Sequence, residues 1–297
     1  MEEIAAAVQE ESKPKKKRRS PPFFRLVRFL LIVFVLWWFN NFTIKITKQE
    51  ITSPKVENDI KITVISDYHA STEPFSLKNE YVMKKIRKTD PDIVCFLGDM
   101  HSTGASETEK EKSLSLMTDA VKEGWKVFFV LGEHDDRTNS YISKMQECGI
   151  DVLNDEKRTL NLGETKINIY GISNAYFAPS FDLRNKFDID KKQYNILLAH
   201  IPMYSDYEKF GADLTLCGDT HGGVMQLPLL GPAYCNDRFF PEITSSGDEQ
   251  IYDKGLFDYD GGKLFITSGL GNFIDSRNLP VRFLNRPEVA SITISPE

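Results

Sequence analysis

The five histidines of this 297-residue chain fall in five short clusters. These are Asp67-Tyr68-His69, Gly98-Asp99-Met100-His101, Gly132-Glu133-His134-Asp135, Ala199-His200 and Gly218-Asp219-Thr220-His221. Four of them pair the imidazole with a carboxylate, and the fifth closes the apolar run that ends at Ala199. Imidazole and carboxylate together make the inner coordination shell of borderline-to-hard divalent cations, and loops at strand ends bring residues distant in sequence to one point. A single Asp-x-His is weak evidence, because both residues are common in loops and caps. Five such clusters in order read as one metal site.

The elements that would position them follow from periodicity. Short apolar runs predict strands at 60–66, 92–97 and 126–131, and amphipathic spacing predicts helices at 77–87, 108–123 and 141–148. Strand-helix alternation implies crossovers and a parallel sheet. The second half is richer in strands, at 157–162, 165–171, 194–199, 213–217, 263–267 and 289–294. An α/β sandwich of two mixed sheets flanked by helices is therefore expected, with 229–255 as an irregular insertion near the site. In an extended chain residues i and i+2 share a side, which would let Asp67 and His69 reach one ion as they leave the first strand. Gly98, Gly132 and Gly218 would allow sharp turns before Asp99, Glu133 and Asp219.

Charge divides the chain. Residues 1–28 hold eight Lys or Arg against four Glu, leaving 29 basic and 39 acidic residues in the remainder. An acidic domain of this kind argues against nucleic acid as a partner. Residues 23–44 are apolar, uncharged from Phe29 onward, and preceded by Lys13, Lys15, Lys16, Lys17, Arg18 and Arg19. Such a segment reads as an uncleaved single-pass anchor, with residues 1–22 as a cytoplasmic tail by the positive-inside rule. The expected organisation is then a tail, an anchor, a linker or first edge strand over 45–57, and a domain over 58–297 outside the cell membrane. No CxxC occurs; Cys95 and Cys217 lie in strand-like runs as core thiols, and the spacing of Cys148 and Cys235 gives no support to a disulfide.

The ordered clusters, with Gly218-Asp219-Thr220-His221-Gly222-Gly223 running on to Leu227-Pro228 and Gly231, resemble the calcineurin-like metallophosphoesterases, whose usual motifs are DxH, GD, GNH(D/E), H and GHxH. The likeness runs from about Ile60 to Ile294 and is similar to the bacterial membrane-associated branch that includes UDP-2,3-diacylglucosamine hydrolases. It implies an αββα sandwich holding two divalent ions, Mn²⁺ foremost, with Mg²⁺, Ca²⁺, Fe or Zn²⁺ as alternatives. By the family's pattern Asp67, His69 and His221 would hold one ion, Asp99 would bridge, and Glu133, His200 and Asp219 would hold the other. A metal-bound hydroxide would attack phosphorus, His134 would protonate the leaving alkoxide, and Asp135 would orient the His134 ring. His101 has no place in that scheme.

Two positions depart from the pattern: Glu133 stands where the family has Asn, and Asp219 where it has the first His of GHxH. Both fall on the second ion and both remain competent oxygen ligands, so the implied site is remodelled rather than decayed. The expected function is a membrane-anchored hydrolase of a phosphodiester, pyrophosphate or phosphomonoester, the nearby bilayer making a lipid-linked substrate attractive. The alternative is a metal-binding interaction or sensor domain of the same fold with weak or no hydrolysis. The intact His134-Asp135 pair favours the enzyme; the altered second site favours the alternative.

Overall fold

The computed structural model describes residues 21–173, 182–235, 238–244, 250–271 and 280–297. A helix, α1 (Pro22–Phe42), comes first. Its residues up to Leu36 form a unit of their own, apolar and exposed along their length, and the helix is long and apolar enough to cross a membrane. Trp37–Glu297 forms the second unit.

That second unit is built on two six-stranded sheets. Strands β1 (Lys45–Thr52), β2 (Ile60–Ile65), β3 (Ile93–Phe96), β4 (Lys126–Phe129) and β5 (Asp151–Val152) enter the first, and β6 (Glu156–Leu162), β7 (Thr165–Gly171), β8 (Tyr194–Leu198) and β9 (Leu214–Cys217) the second. Four two-residue strands follow, β10 (Gln226–Leu227) pairing β11 (Gly231–Pro232) and β12 (Tyr234–Cys235) pairing β13 (Arg238–Phe239). The hairpin β14 (Gly255–Tyr259) and β15 (Gly262–Ile266) completes the second sheet, and β16 (Glu288–Ser295) returns to the first. The orders are β1-β16-β2-β3-β4-β5 and β14-β15-β9-β8-β7-β6.

Strands β2 to β5 run parallel through crossovers made by α2 (Asn79–Arg87), α3 (Glu107–Lys122) and α4 (Asn139–Glu147). Antiparallel β16 against β2, and β6 against β7, make both sheets mixed. Their inner strands are apolar at nearly every position, as strands covered on both faces must be. Ile62, Val64, Cys95, Phe128, Ile167, Ile196 and Leu216 fill the space between the sheets. Val82, Met83, Leu116, Met117 and Met145 pack the three helices on one outer face, and Tyr207 and Phe210 of α6 (Tyr204–Phe210) cover the other, beside the short α5 (Leu183–Lys186). The layering is the expected αββα. Helix starts follow local chemistry: Ser106 and Glu109 close a reciprocal capping box on α3, and the Thr138 hydroxyl caps α4.

The core thiols are as expected, with Cys95 and Cys217 buried and all four cysteines free. The segment 45–57 is not a bare linker, because β1 pairs along its length with β16. Of the expected irregular insertion, the described residues form the two short ribbons and a one-turn helix, α7 (Pro241–Thr244).

Candidate metal centre

The strand ends bring all five clusters to one place. Asp67 and His69 follow β2, Asp99 follows β3, Glu133 and His134 follow β4, His200 follows β8, and Asp219 and His221 follow β9. Each strand feeds its cluster at its carboxyl end, where open α/β sheets carry their ligand sites. The backbone there is not extended as the sequence suggested. Asp67, His69, Asp99, Asp219 and His221 all have positive φ, between 42° and 71°. A left-handed conformation is uncommon for residues other than glycine, and its concentration at five convergent polar side chains marks a functional constraint.

The glycines serve differently from one another. Gly98 does make the left-handed turn expected of it, with φ 88°. Gly132 and Gly218 instead permit close approach, since a Cβ at either would strike the Asp99 carboxylate or the Ser66 hydroxyl.

Ligand atoms gather in three overlapping groups: Asp67, His69 and His221; Asp67, Asp99 and His200; and Asp99, Glu133 and His134. Asp99 is the hub. Its Oδ2 lies 3.2 Å from His200 Nε2, 3.8 Å from His134 Nε2 and 3.9 Å from His69 Nε2, while Oδ1 accepts the His134 backbone N–H at 2.9 Å. Asp219 joins less closely, its Oδ1 3.7 Å from His200 Nε2 and its backbone N–H shared between both Asp67 oxygens at 3.2 Å.

Ring orientation says what these histidines are for. His200 Nδ1 donates to the Leu97 carbonyl at 2.7 Å, which leaves Nε2, aimed at Asp99 and Asp219, as the atom that takes either a proton or a cation. His69 Nδ1 is held by the Ser102 hydroxyl at 3.0 Å. The remaining nitrogens, His69 Nε2, His200 Nε2 and His221 Nδ1, are buried without a hydrogen-bond partner. Unpaired buried polar atoms are costly, and two of these, His69 Nε2 and His200 Nε2, face the carboxylate cluster, which His221 approaches through Nε2 at 4.0 Å from Asp67 Oδ1; such a set fits a cation. Residues on the far sides of the rings act as the outer hydrogen-bonding shell that fixes ligand orientation in metal sites.

Electrostatics agree. Burial pushes the Asp67 carboxyl up to about 7, Asp99 and Asp219 adding to the shift and His200 opposing it. Burial likewise raises Asp219, and it lowers His69 to about 4 and holds His221 well below the usual imidazole range. His200 goes the other way: burial opposes its charge, but Asp99, Asp67 and Asp219 lift it well above that range. Asp99 is held low despite burial by His200 and His69. The carboxylates stabilise positive charge at His200, while burial keeps His69 and His221 neutral and resists more carboxylate charge at Asp67 and Asp219.

Asp135 has another task than the one expected. Its carboxylate accepts the backbone N–H groups of Asp99, Met100 and Gly132 at 2.8 to 2.9 Å, locking the β3 and β4 loops together. The His134 ring is oriented by Thr103, whose hydroxyl meets Nδ1 at 2.6 Å. His101 is buried; its Nε2 accepts the Asp136 backbone N–H at 3.3 Å and its ring lies edge-on to Tyr141. Sequence reasoning did not find Thr103, Ser102, Arg282 or Asn285. Buried Arg282 donates to the Gly271 and Ser268 carbonyls at 2.6 and 2.9 Å, and Asn285 donates to the His221 carbonyl at 2.6 Å. Ser102 and Thr103 directly follow His101 and were within reach of a motif reading; the other two had no local signal. Beside His134 lies an open pocket of about 380 Å³ lined by Thr103, Lys110, Glu133, Asp136 and Arg137 among others.

Residues 60–223 match the family model described as calcineurin-like phosphoesterase. The chain is 27% identical over 264 residues to the uncharacterized metallophosphoesterase YkuE of Bacillus subtilis, covering 84% of this chain and 85% of that protein. It is 26% identical over 264 residues to an uncharacterized metallophosphoesterase of Helicobacter pylori strain J99, covering 85% of this chain but 64%, less than two thirds, of that relative. Among solved structures, a putative 5'-nucleotidase from Staphylococcus aureus superposes with a TM-score of 0.46 at 13% identity, over 78% of this chain and 54% of that one.

Proposed function

Since the chain belongs to the calcineurin-like phosphoesterase family, and is thereby in general terms a metal-dependent phosphoester hydrolase, we propose that it is a membrane-anchored enzyme whose ligands are Asp67, His69, Asp99, Glu133, His200, Asp219 and His221. The observation that carries the assignment is the convergence of the His69, His200 and His221 rings on Asp67 and Asp99, with Nε2 of His69 and of His200 buried and unpaired. Two divalent cations, Mn²⁺ foremost, would supply charge against the developing phosphate oxyanions and lower the pKa of water.

The chain's own part is positioning and proton transfer. His134 Nε2 faces Glu133 Oε1 at 3.4 Å and Asp99 at 3.8 Å, a setting that favours a proton on Nε2. With Nδ1–H donating to the Thr103 hydroxyl, the imidazolium form can give its Nε2–H to the leaving oxygen and is left as a neutral ring. Asp135 keeps the two loops in register, so the donor and the ligand hub hold their spacing. The substrate reading is a phosphodiester or pyrophosphate, lipid-linked, in preference to a phosphomonoester. Four carboxylates at the centre repel a dianion more than a monoanion.

Metal analysis of the purified protein, together with hydrolysis of p-nitrophenyl phosphate, bis-p-nitrophenyl phosphate and a lipid pyrophosphate, tests this reading. Protease added to intact spheroplasts should digest the domain from about Lys45 onward if the helix α1 anchors it outside. Full protection would reverse the orientation.

A further inference from the structure

Outside α1, the exposed large apolar side chains of the described residues are not scattered. Met225, Leu229, Leu230, Phe239, Phe240 and Ile243 come from the ribbon segment, joined by Tyr234. Leu284 lies on the adjoining strap, and Phe75 has its ring 6.1 Å from Phe42 at the end of α1. The helices α2, α3, α4 and α6 contribute none. Exposed large apolar side chains gathered on one segment of the described residues, rather than scattered singly, mark an interaction site.

Hydrogen bonds tie the patch to the end of α1 in one direction and to the metal centre in the other. Trp37 Nε1 donates to the Pro280 carbonyl at 3.0 Å, while Asn41 donates to the Arg282 carbonyl and accepts from its N–H at 2.9 and 2.8 Å. The next residue on the strap, Phe283, accepts from Gln226 N–H at 2.9 Å, and the Met225 carbonyl accepts from Ala233 N–H at 2.8 Å. Phe240 N–H in turn donates to the Ala233 carbonyl at 3.0 Å. Toward the site, Val224 N–H donates to the His221 carbonyl at 3.2 Å, and Arg282 also holds the loop at Ser268 and Gly271.

We propose that this apolar shelf seats on the bilayer that receives α1, so that the metal centre works on phosphoesters in the headgroup layer. Continuity decides the occupant: the shelf hangs from the last turn of a helix whose preceding residues are exposed and apolar, and a surface so attached reaches the interface of the same membrane. The inference rests on the membrane-anchor reading above and adds a second contact to it.

Site-specific quenching tests it on the full chain. In a Cys148→Ser background, Leu229→Cys, Phe239→Cys and Ile243→Cys would each be labelled with an environment-sensitive fluorophore and reconstituted in vesicles of phosphatidylcholine and phosphatidylglycerol, with and without nitroxide-bearing lipid. Phe29→Cys reports insertion of α1, and Lys191→Cys reports a surface in water. Hydrolysis of bis-p-nitrophenyl phosphate by each labelled variant checks that it is folded. The shelf positions should be quenched at least threefold more than position 191. Quenching at position 29 with shelf positions no different from 191 would overturn the shelf and leave the anchor standing. No quenching at position 29 would remove the anchor and this proposal with it. Blue-shifted shelf probes unquenched by lipid, with cross-linking between copies, would make the shelf a contact between two chains and overturn the bilayer as its occupant.

Discussion

The two halves of the centre are built differently. Around Asp67, His69 and His221 the proposed ligands are deeply placed, all three with left-handed backbone, and an outer ring of Ser102, Arg282 and Asn285 holds the rings and loops. Around Glu133 and Asp219 the carboxylates are partly open to solvent, and Asp219 reaches the cluster mainly through His200. Left-handed backbone and an unpaired buried imidazole nitrogen occur in both halves, at Asp219 and His200 as well as in the first; the difference is that the first half is enclosed by its outer ring, while the second gains charge and loses enclosure. An enclosed half that would fix one cation beside a more open, oxygen-rich half is a division of labour that substitution can test.

Removing the shared hub should have the largest effect. Asp99→Ala takes a ligand from both halves, and its loss of metal affinity should exceed the roughly 10–100-fold typical of outer-shell changes. Asp219→Ala should lower metal content less. Equal losses measured by elemental analysis would mean that the halves do not differ as described. His134→Ala comes next: metal content should stay near wild type while hydrolysis slows by about 10²–10⁴-fold. Metal loss matching that of Asp99→Ala would make His134 a ligand, which its place in the group with Asp99 and Glu133 makes a real test.

A smaller change should come from restoring the family's usual residues in the open half. Glu133→Asn with Asp219→His removes two charges and supplies an imidazole, so Zn²⁺ should gain on Mn²⁺ and phosphomonoester hydrolysis should rise relative to diester hydrolysis. An unchanged metal preference and an unchanged monoester to diester ratio in a folded double variant would dissolve the contrast between the halves.

Much of this was legible in the sequence, for a physical reason. Fully buried parallel strands must be continuous apolar runs, and the His and carboxylate clusters sit directly after them, so Ile60–Ile65, Ile93–Phe96 and Tyr194–Leu198 announced both the sheets and the candidate site. What stayed hidden depends on long-range contact. The edge strand Lys45–Thr52 is polar and exists through its pairing with β16, and Arg282 reaches His221 only through the fold. The local reading also mistook backbone for side-chain geometry. Asp67 and His69 converge through left-handed turns rather than strand alternation, and Asp135 bonds backbone N–H groups rather than its neighbour's ring.

The smallest expected effect separates the halves by their protons. In metal-free protein, burial lowers His69 and His221, so these two bind fewer protons folded than unfolded and favour the fold increasingly as pH rises toward about 6.5. Asp67, raised to about 7 by burial, acts in the opposite sense over nearly the same range, because its folded form binds the extra proton between about 4 and 7. Below about 6.5 the two contributions oppose each other. Above it His69 and His221 no longer contribute, while Asp67 and His200 still do. The His200 pKa is raised by Asp99, Asp67 and Asp219 against the effect of burial, so its contribution is fully present below about 6.5 and is lost as pH rises through its folded value. The Tm of chelator-treated protein should therefore not fall up to about pH 6.5, where two histidines act against one carboxyl, and should fall between about pH 6.5 and 8, below the range where the half-buried Lys112 and Lys254 act in the opposite sense. Saturating Mn²⁺ should flatten that fall, since a cation replaces the proton among the same carboxylates and its binding releases protons. A Tm that rises between about pH 6.5 and 8 without metal, or a slope that Mn²⁺ leaves unchanged, would show that His200 does not carry the proton a metal displaces, and the burial of the first half would no longer explain its affinity.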